Sequence, residues 1–280
     1  VTYSIVARDP DTDELGVGVQ SQAFNTGAAV PWARPGIGAI ATQSFTDRRY
    51  GWRGLELLAE GAPPEDVLAR LRSDDDLAQL RQVGILAADG HSAQWTGGDC
   101  VAEAGSARGE NWIAQANMVA SPRVWEAMGE AFADASGSLG ERLMSALEAA
   151  EAAGGDWRGR GGAAVLVVPG EGEPWDRVVD LRVEEGDGSL LELRRLLTRA
   201  LGYRAATRAT AERAAIGERY GLPDVHVQQL AIQDALQDGN VVEAKRLYAD
   251  LLEAQPRWAD AIRALATLPD FAGLKTLLDE

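Results

Sequence analysis

VTYSIVAR, residues 1–8, sets how the rest of the chain reads. Tyr3, Ile5 and Val6 are aromatic or β-branched and no polar leader precedes them, which predicts a strand opening almost at the first residue. DPDTDE (9–14) is a turn of Asp, Pro and Thr, and LGVGVQSQ (15–22) is a second strand whose glycines mark close approach of a backbone or ligand. A hairpin of this spacing sets Thr2 beside Gln20 to Gln22. Removal of residue 1, either Val1 as written or an initiator methionine in its place, would make Thr2 the first residue. Such a threonine carries a nucleophile and its own base, because an α-amine titrates near pH ~8 and sits next to Oγ1. The competing expectation is a threonine that merely opens an edge strand.

Working outward, AFNTGAAVPWARPG (23–36) reads as a loop with two prolines and GIGAIATQSF (36–45) as a third strand. Helical spacing follows over 47–61, with Gly61 as its stop, and again over 62–76, which opens with proline. RQVGILAADG (81–90) and HSAQWTG (91–97) predict a hairpin with Asp89-Gly90 as a two-residue turn. NWIAQANMVA (111–120) is a further strand, and 121–136 and 138–154 are amphipathic helices. GGAAVLVVPG (161–170) is wholly apolar and central, DRVVDLRVEE (176–185) alternates beside it, and 190–202 is a helix. Helices arriving in pairs between antiparallel hairpins do not fit a parallel doubly wound sheet. The order predicts an α+β fold, a four-layer αββα sandwich over residues 1–202, with a small all-helical extension over 203–280.

Composition bounds the function. With 280 residues, 46% of them apolar, one large domain and one smaller are expected. The net charge is −16 and only Lys245 and Lys275 are lysines, which argues against nucleic acid or an anionic membrane as partner. A single cysteine, Cys100, excludes an internal disulfide framework, and the distant His91 and His226 make a poor zinc site. No run of 18 apolar residues and no charged-then-apolar leader is present, so a cytoplasmic protein is expected. GIGAIA has no phosphate-binding helix after it and is not a dinucleotide motif. No cofactor and no metal is implied.

TYSIVARDPDTDELGVGVQSQ (2–22), VPWARPGIGAIATQ (30–43), QANM (115–118), GDWRGRGGAAVLVV (155–168) and DRVVDLRV (176–183) together resemble the bacterial family labelled domain of unknown function 1028, over about residues 2–200. That family is similar to the N-terminal-nucleophile (Ntn) hydrolases, whose fold is the αββα sandwich. The resemblance implies Thr2 as a nucleophile whose amine relays the proton, with Ser21 nearest that amine. Arg34 stands where the proteasome-like pattern has a lysine; arginine does not shuttle protons, so its role would be electrostatic. Gln43 and Ser44 end the third strand, where Ntn folds offer a backbone amide to an oxyanion, and the Asn117 amide is a second donor. Ordinary strand-end or loop roles are the alternative for each. If residue 1 is retained, the amine is an amide and the base is gone.

From Tyr203 onward the strand pattern stops. Gly239-Asn240, Ala244, Tyr248, Leu252 and Pro256 resemble a tetratricopeptide-type helical hairpin. One repeat and part of a second fall short of the roughly three a solenoid needs. This implies a docking or oligomerisation module, hence a homo-oligomer or a protein partner through 203–280. A helical cover for apolar surface is the alternative. Two functions follow: an amidohydrolase acting on a small amide or peptide, or a non-catalytic binding or assembly protein working through its tail.

Overall fold

The computed structural model describes residues 2–209 and 211–278. Strands β1 (Thr2–Arg8) and β2 (Leu15–Ser21) pair antiparallel, with Thr2 opposite Ser21 and Arg8 opposite Leu15. There follow β3 (Pro31–Arg34), β4 (Gly38–Ser44), α1 (Arg49–Ala59), α2 (Pro64–Ser73), β5 (Arg81–Ala87), β6 (Ser92–Thr96), β7 (Gly105–Gly109) and β8 (Trp112–Asn117). Then come α3 (Arg123–Asp134), α4 (Leu139–Ala152), β9 (Gly162–Val168), β10 (Val179–Val183) and α5 (Ser189–Arg208). One antiparallel sheet has the order β10-β9-β2-β1-β8-β7 and the other β3-β4-β5-β6.

Two local readings are corrected and one further strand is found. Residues 23–36 are not all loop: Pro31 heads β3, an edge strand, where a missing N–H costs the ladder little. GSARG forms the edge strand β7, which its glycines conceal. The turn between β5 and β6 spans three residues rather than two: Gly90 N donates to Ala87 O at 3.0 Å, and Gly90 has φ +89°. A type I turn followed by a left-handed glycine is the common three-residue hairpin loop.

Alternation explains the burial. Tyr3 and Ile5 face one way from β1, while Thr2, Ser4 and Val6 face the other, and all are buried. α3 packs on β7 and β8, and α4 on β1, β2 and β9; α1 packs on β3 and β4, and α2 on β5 and β6. The other face of each sheet meets its counterpart, β1 with β4 and β5, β2 with β3 and β4, and β8 with β5. α4 starts with a capping box, in which Ser138 and Glu141 satisfy each other's backbone N–H.

The layer between the sheets has two ends of different character. Toward the C-terminal end of β1 it is apolar, with Val6, Leu15, Val17, Val19, Ala39, Ala41 and Leu86 in one cluster. Toward Thr2 it is polar: Ser4, Gln43, Gln82 and Gln115 are fully buried and Asn117 nearly so. That polar end positions the candidate site.

The chain divides into two compact units, residues 1–197 and 198–280, and α5 runs through the division. The second unit continues with α6 (Arg213–Arg219), α7 (Asp224–Gln237), α8 (Val241–Ala254) and α9 (Trp258–Leu265). α7 packs on α8; Ala244, Tyr248 and Leu251 of α8 share an apolar cluster with Ile232 and Ala235 of α7. Asn240 caps α8 by accepting from Glu243 N. No helix among the described residues is long and apolar enough to cross a membrane.

Candidate functional site

Thr2 opens β1 between two neighbours, paired with Ser21 on β2 and with Asn117 on β8. Its side chain points between the sheets, and the residue is 8% exposed. Thr2 Oγ1 donates to Ser21 Oγ at 3.0 Å, and Ser21 Oγ also accepts from Ala23 N at 3.2 Å. Both hydroxyl residues line a pocket of about 360 Å³, with Phe24, Asn25 and Thr26 after β2, Ser44 at the end of β4, Thr46 after it, and the arginines Arg48 and Arg158.

A polar network sits directly beneath. Gln43 Nε2 donates to Thr2 O at 3.1 Å and to Gln82 Oε1 at 2.8 Å, while Ser4 Oγ donates to Gln43 Oε1 at 2.6 Å. Gln82 Nε2 donates to Ala116 O at 2.9 Å, Asn117 Nδ2 donates to Gln82 Oε1 at 3.0 Å, and Gln115 Nε2 donates to Ala41 O at 3.1 Å. All but the Gln43–Gln82 bond, which lies within one sheet, run from one sheet to the other, and one of them holds the Thr2 carbonyl. Most of these buried amide atoms are paired, which matters because each unmet group costs about 1–3 kcal/mol; Gln115 Oε1 has no partner among the described residues.

Backbone geometry is unusual at three strand ends of this rim. Asn25 after β2, Ser44 at the end of β4 and Met118 after β8 have φ of 56°, 71° and 55°. Non-glycine residues in the left-handed region cost roughly 1–2 kcal/mol and turn the chain sharply. Asn25 and Ser44 line the pocket, and Met118 directly follows the last residue of β8. The segment after β4 is clamped by Arg81, which donates to Phe45 O and pairs with Asp75 at 2.8 Å. Arg81 and a hydrogen bond from the Leu77 N–H hold the Asp75 carboxyl at about 2, against the upward push of burial. Tyr50 donates to the same carboxylate at 3.1 Å; its burial and that contact raise the phenol.

The GDWRGRGG segment forms the remaining wall. Asp156, its side chain fully buried, accepts from Gln22 N at 2.8 Å and Arg158 N at 2.9 Å, and pairs with the Arg158 guanidinium at 3.3 Å. One carboxylate thus ties the chain after Ser21 to the loop bearing Arg158. Gly161 is required where it stands, because a Cβ there would lie 2.3 Å from Gln22 O.

Of the residues the sequence singled out, Thr2, Ser21 and Ser44 come together on the pocket. Gln43 lies under it, behind the Thr2 carbonyl. Asn117 pairs with Thr2 in the sheet, but its amide donates to Gln82 and does not line the pocket. Arg34 is not at this site. It pairs with Gly38 at the opposite end of β4 from Ser44, roughly 20 Å away at the ordinary strand rise. The stretch 23–36, read as loop, contains β3, which carries Arg34 to the far rim. Val1 lies outside the described residues.

Residues 2–193 match the family described as "family of unknown function (DUF1028)". The chain belongs to this family. A crystal structure of a DUF1028 protein from Silicibacter pomeroyi is similar to it, at 30% identity and a TM-score of 0.65, over 75% of this chain and 90% of that one. No curated protein matches the chain. Every pocket-lining residue named above falls inside the DUF1028 span, and α6 through α9 fall outside it. Within that span Arg48, Arg158, Gln82 and Gln115 were missed by sequence reasoning. The signals for three of them were an arginine after Trp157 in the Gly-rich stretch GDWRGRGG, and a lone glutamine inside each of the apolar strands RQVGILA and WIAQAN.

Proposed function

We propose that the protein is an Ntn-type amidohydrolase with Thr2 as nucleophile once residue 1 is removed. In this reading the two face-to-face sheets and their outer helices are the four-layer αββα sandwich of that fold group, as a domain over residues 1–202. The observation that carries the reading is the Thr2 hydroxyl, bonded to Ser21 Oγ at 3.0 Å in a pocket at the strand ends. Thr2 Oγ1 attacks the amide carbon while its proton passes to the α-amine, and the carbonyl oxygen becomes an oxyanion. A backbone N–H at the end of β4, near Ser44, is the proposed donor to that charge. Collapse breaks the C–N bond, and the ammonium returns its proton to the leaving amine. Water, activated by the same α-amine, then hydrolyses the Thr2 ester. Ser21 positions the hydroxyl, and Gln43 holds the Thr2 carbonyl.

The test compares a chain beginning at Thr2 with one retaining residue 1 and with Thr2→Ala, assayed for primary amine released from a panel of small amides. Only the first is expected to turn over, about 10³-fold or more above Thr2→Ala. Equal rates for all three would refute the reading.

A second reading is a non-catalytic Ntn-fold protein, homo-oligomeric or partnered through a tetratricopeptide-like tail over 203–280. It is favoured by an apolar cavity of about 620 Å³ within the second unit, lined by Leu230, Leu236, Leu251 and Trp258. It predicts unchanged behaviour in Thr2→Ala and loss of assembly on deleting 203–280, read by light scattering.

A further inference from the structure

The charge of the candidate pocket runs against that of the chain. The protein carries −16, yet none of the described residues lining the Thr2 pocket is acidic and two are arginines, Arg48 and Arg158. A globally anionic molecule repels anions at long range, so a local cationic mouth selects an anion only by direct contact. Arg48 has no ion pair among the described residues, and the neighbouring Asp47 is engaged by Arg49 at 2.6 Å. Arg158 is held by buried Asp156, which orients the guanidinium and cancels one of the two positive charges. Among the lining side chains one net positive charge remains. Phe24, 68% exposed, provides an apolar wall in the same pocket.

We propose that the substrate presents a carboxylate to Arg48 and Arg158, on the same small molecule whose amide reaches Thr2. The substrate class is then a carboxylate-bearing amide such as an N-acyl amino acid or a short peptide with a free C-terminus. This inference rests on the amidohydrolase reading of the pocket. A carboxylate fits because guanidinium groups bind it in a planar, bidentate way, and because one negative charge matches the one left uncompensated. A phosphate dianion would exceed it. The pocket, about 360 Å³, accommodates a ligand of dipeptide size with both groups inside.

The experiment uses the full-length Thr2→Ala protein, which cannot turn ligands over, and a panel of N-acetyl amino acids paired with their neutral amides, titrated by calorimetry. At least one acid is expected to bind about 10-fold or more tighter than its amide, and more weakly as salt is raised. Arg48→Gln and Arg158→Gln should each lose about 10-fold, and Arg158→Lys less. Arg48 is exposed, so its variant tests the site without disturbing buried groups, and unfolding midpoints check that all variants are folded. The proposal is overturned if acids and amides bind alike, if no acid binds, if the arginine variants bind as tightly, or if inorganic phosphate outcompetes every acid. Acid-selective binding with no amine released by the Thr2-initiated chain would retain the anion site and remove the hydrolase reading. Amine release without acid preference would do the reverse.

Discussion

Gln43 contacts both the nucleophile candidate's carbonyl and the opposite strand, through bonds to Thr2 O, Gln82 Oε1 and Ser4 Oγ. Gln43→Met keeps the volume but leaves the Thr2 carbonyl and the Ser4 hydroxyl without this partner in a fully buried setting. It should lower stability by about 2–3 kcal/mol, measured by urea unfolding; a change under about 0.5 kcal/mol would show that the network relaxes freely. Asp75 gives a pH signature. Its carboxyl is held at about 2 in the folded protein, first by Arg81, and lies nearer ~4 when unfolded. A depressed folded value means stability that is full above pH ~4 and lost as pH falls toward 2. Asp75→Asn, which breaks a buried pair, should cost about 3 kcal/mol near neutral pH, and its gap to the parent protein should close between pH 4 and 2. A gap constant across that range in thermal scans would contradict the assignment.

At the scale of elements, the strands β1, β2, β4, β5, β8 and β9 were legible because period-two or continuous apolar runs ended at recognisable turns. β3 and β7 were not, since proline and glycine serve equally as loop and as edge-strand residues. That ambiguity had a direct consequence at the site. With β3 read as loop, Arg34 could be imagined beside Thr2, whereas antiparallel pairing takes it to the other end of the sheet. Arg158 was hidden for a different reason: it reaches the pocket only through the fold, its loop being tied by Asp156 to the chain after Ser21. The close approach of Gly161 to Gln22 O is part of that tie. Gly161→Ala should displace the loop, cost about 1–3 kcal/mol, and weaken carboxylate binding as strongly as Arg158→Gln. Intact binding in the variant would show that the loop does not fix the arginine.

For the whole molecule, both sheets are complete by Val183 and the family match ends at residue 193, while α6 through α9 build a separate compact unit. A chain ending after Arg208, which keeps all of α5, is expected to unfold in a single cooperative transition with its near-ultraviolet circular dichroism preserved. Loss of that transition would mean that the first unit cannot stand alone. The sequence shows strand patterns only up to about residue 200. It could not supply the inter-sheet amide network, because a glutamine in a strand carries no mark of the partner it will meet across two sheets.

The central claim is that Thr2 acts as the N-terminal nucleophile, and the most direct test is intact-mass spectrometry of the protein treated with a β-lactone electrophile. The expected spectrum shows a chain whose first residue is Thr2, carrying one acyl adduct that maps to Thr2 and is absent from Thr2→Ala. A chain that retains residue 1, or a Thr2-initiated chain that takes no adduct there, would contradict the account.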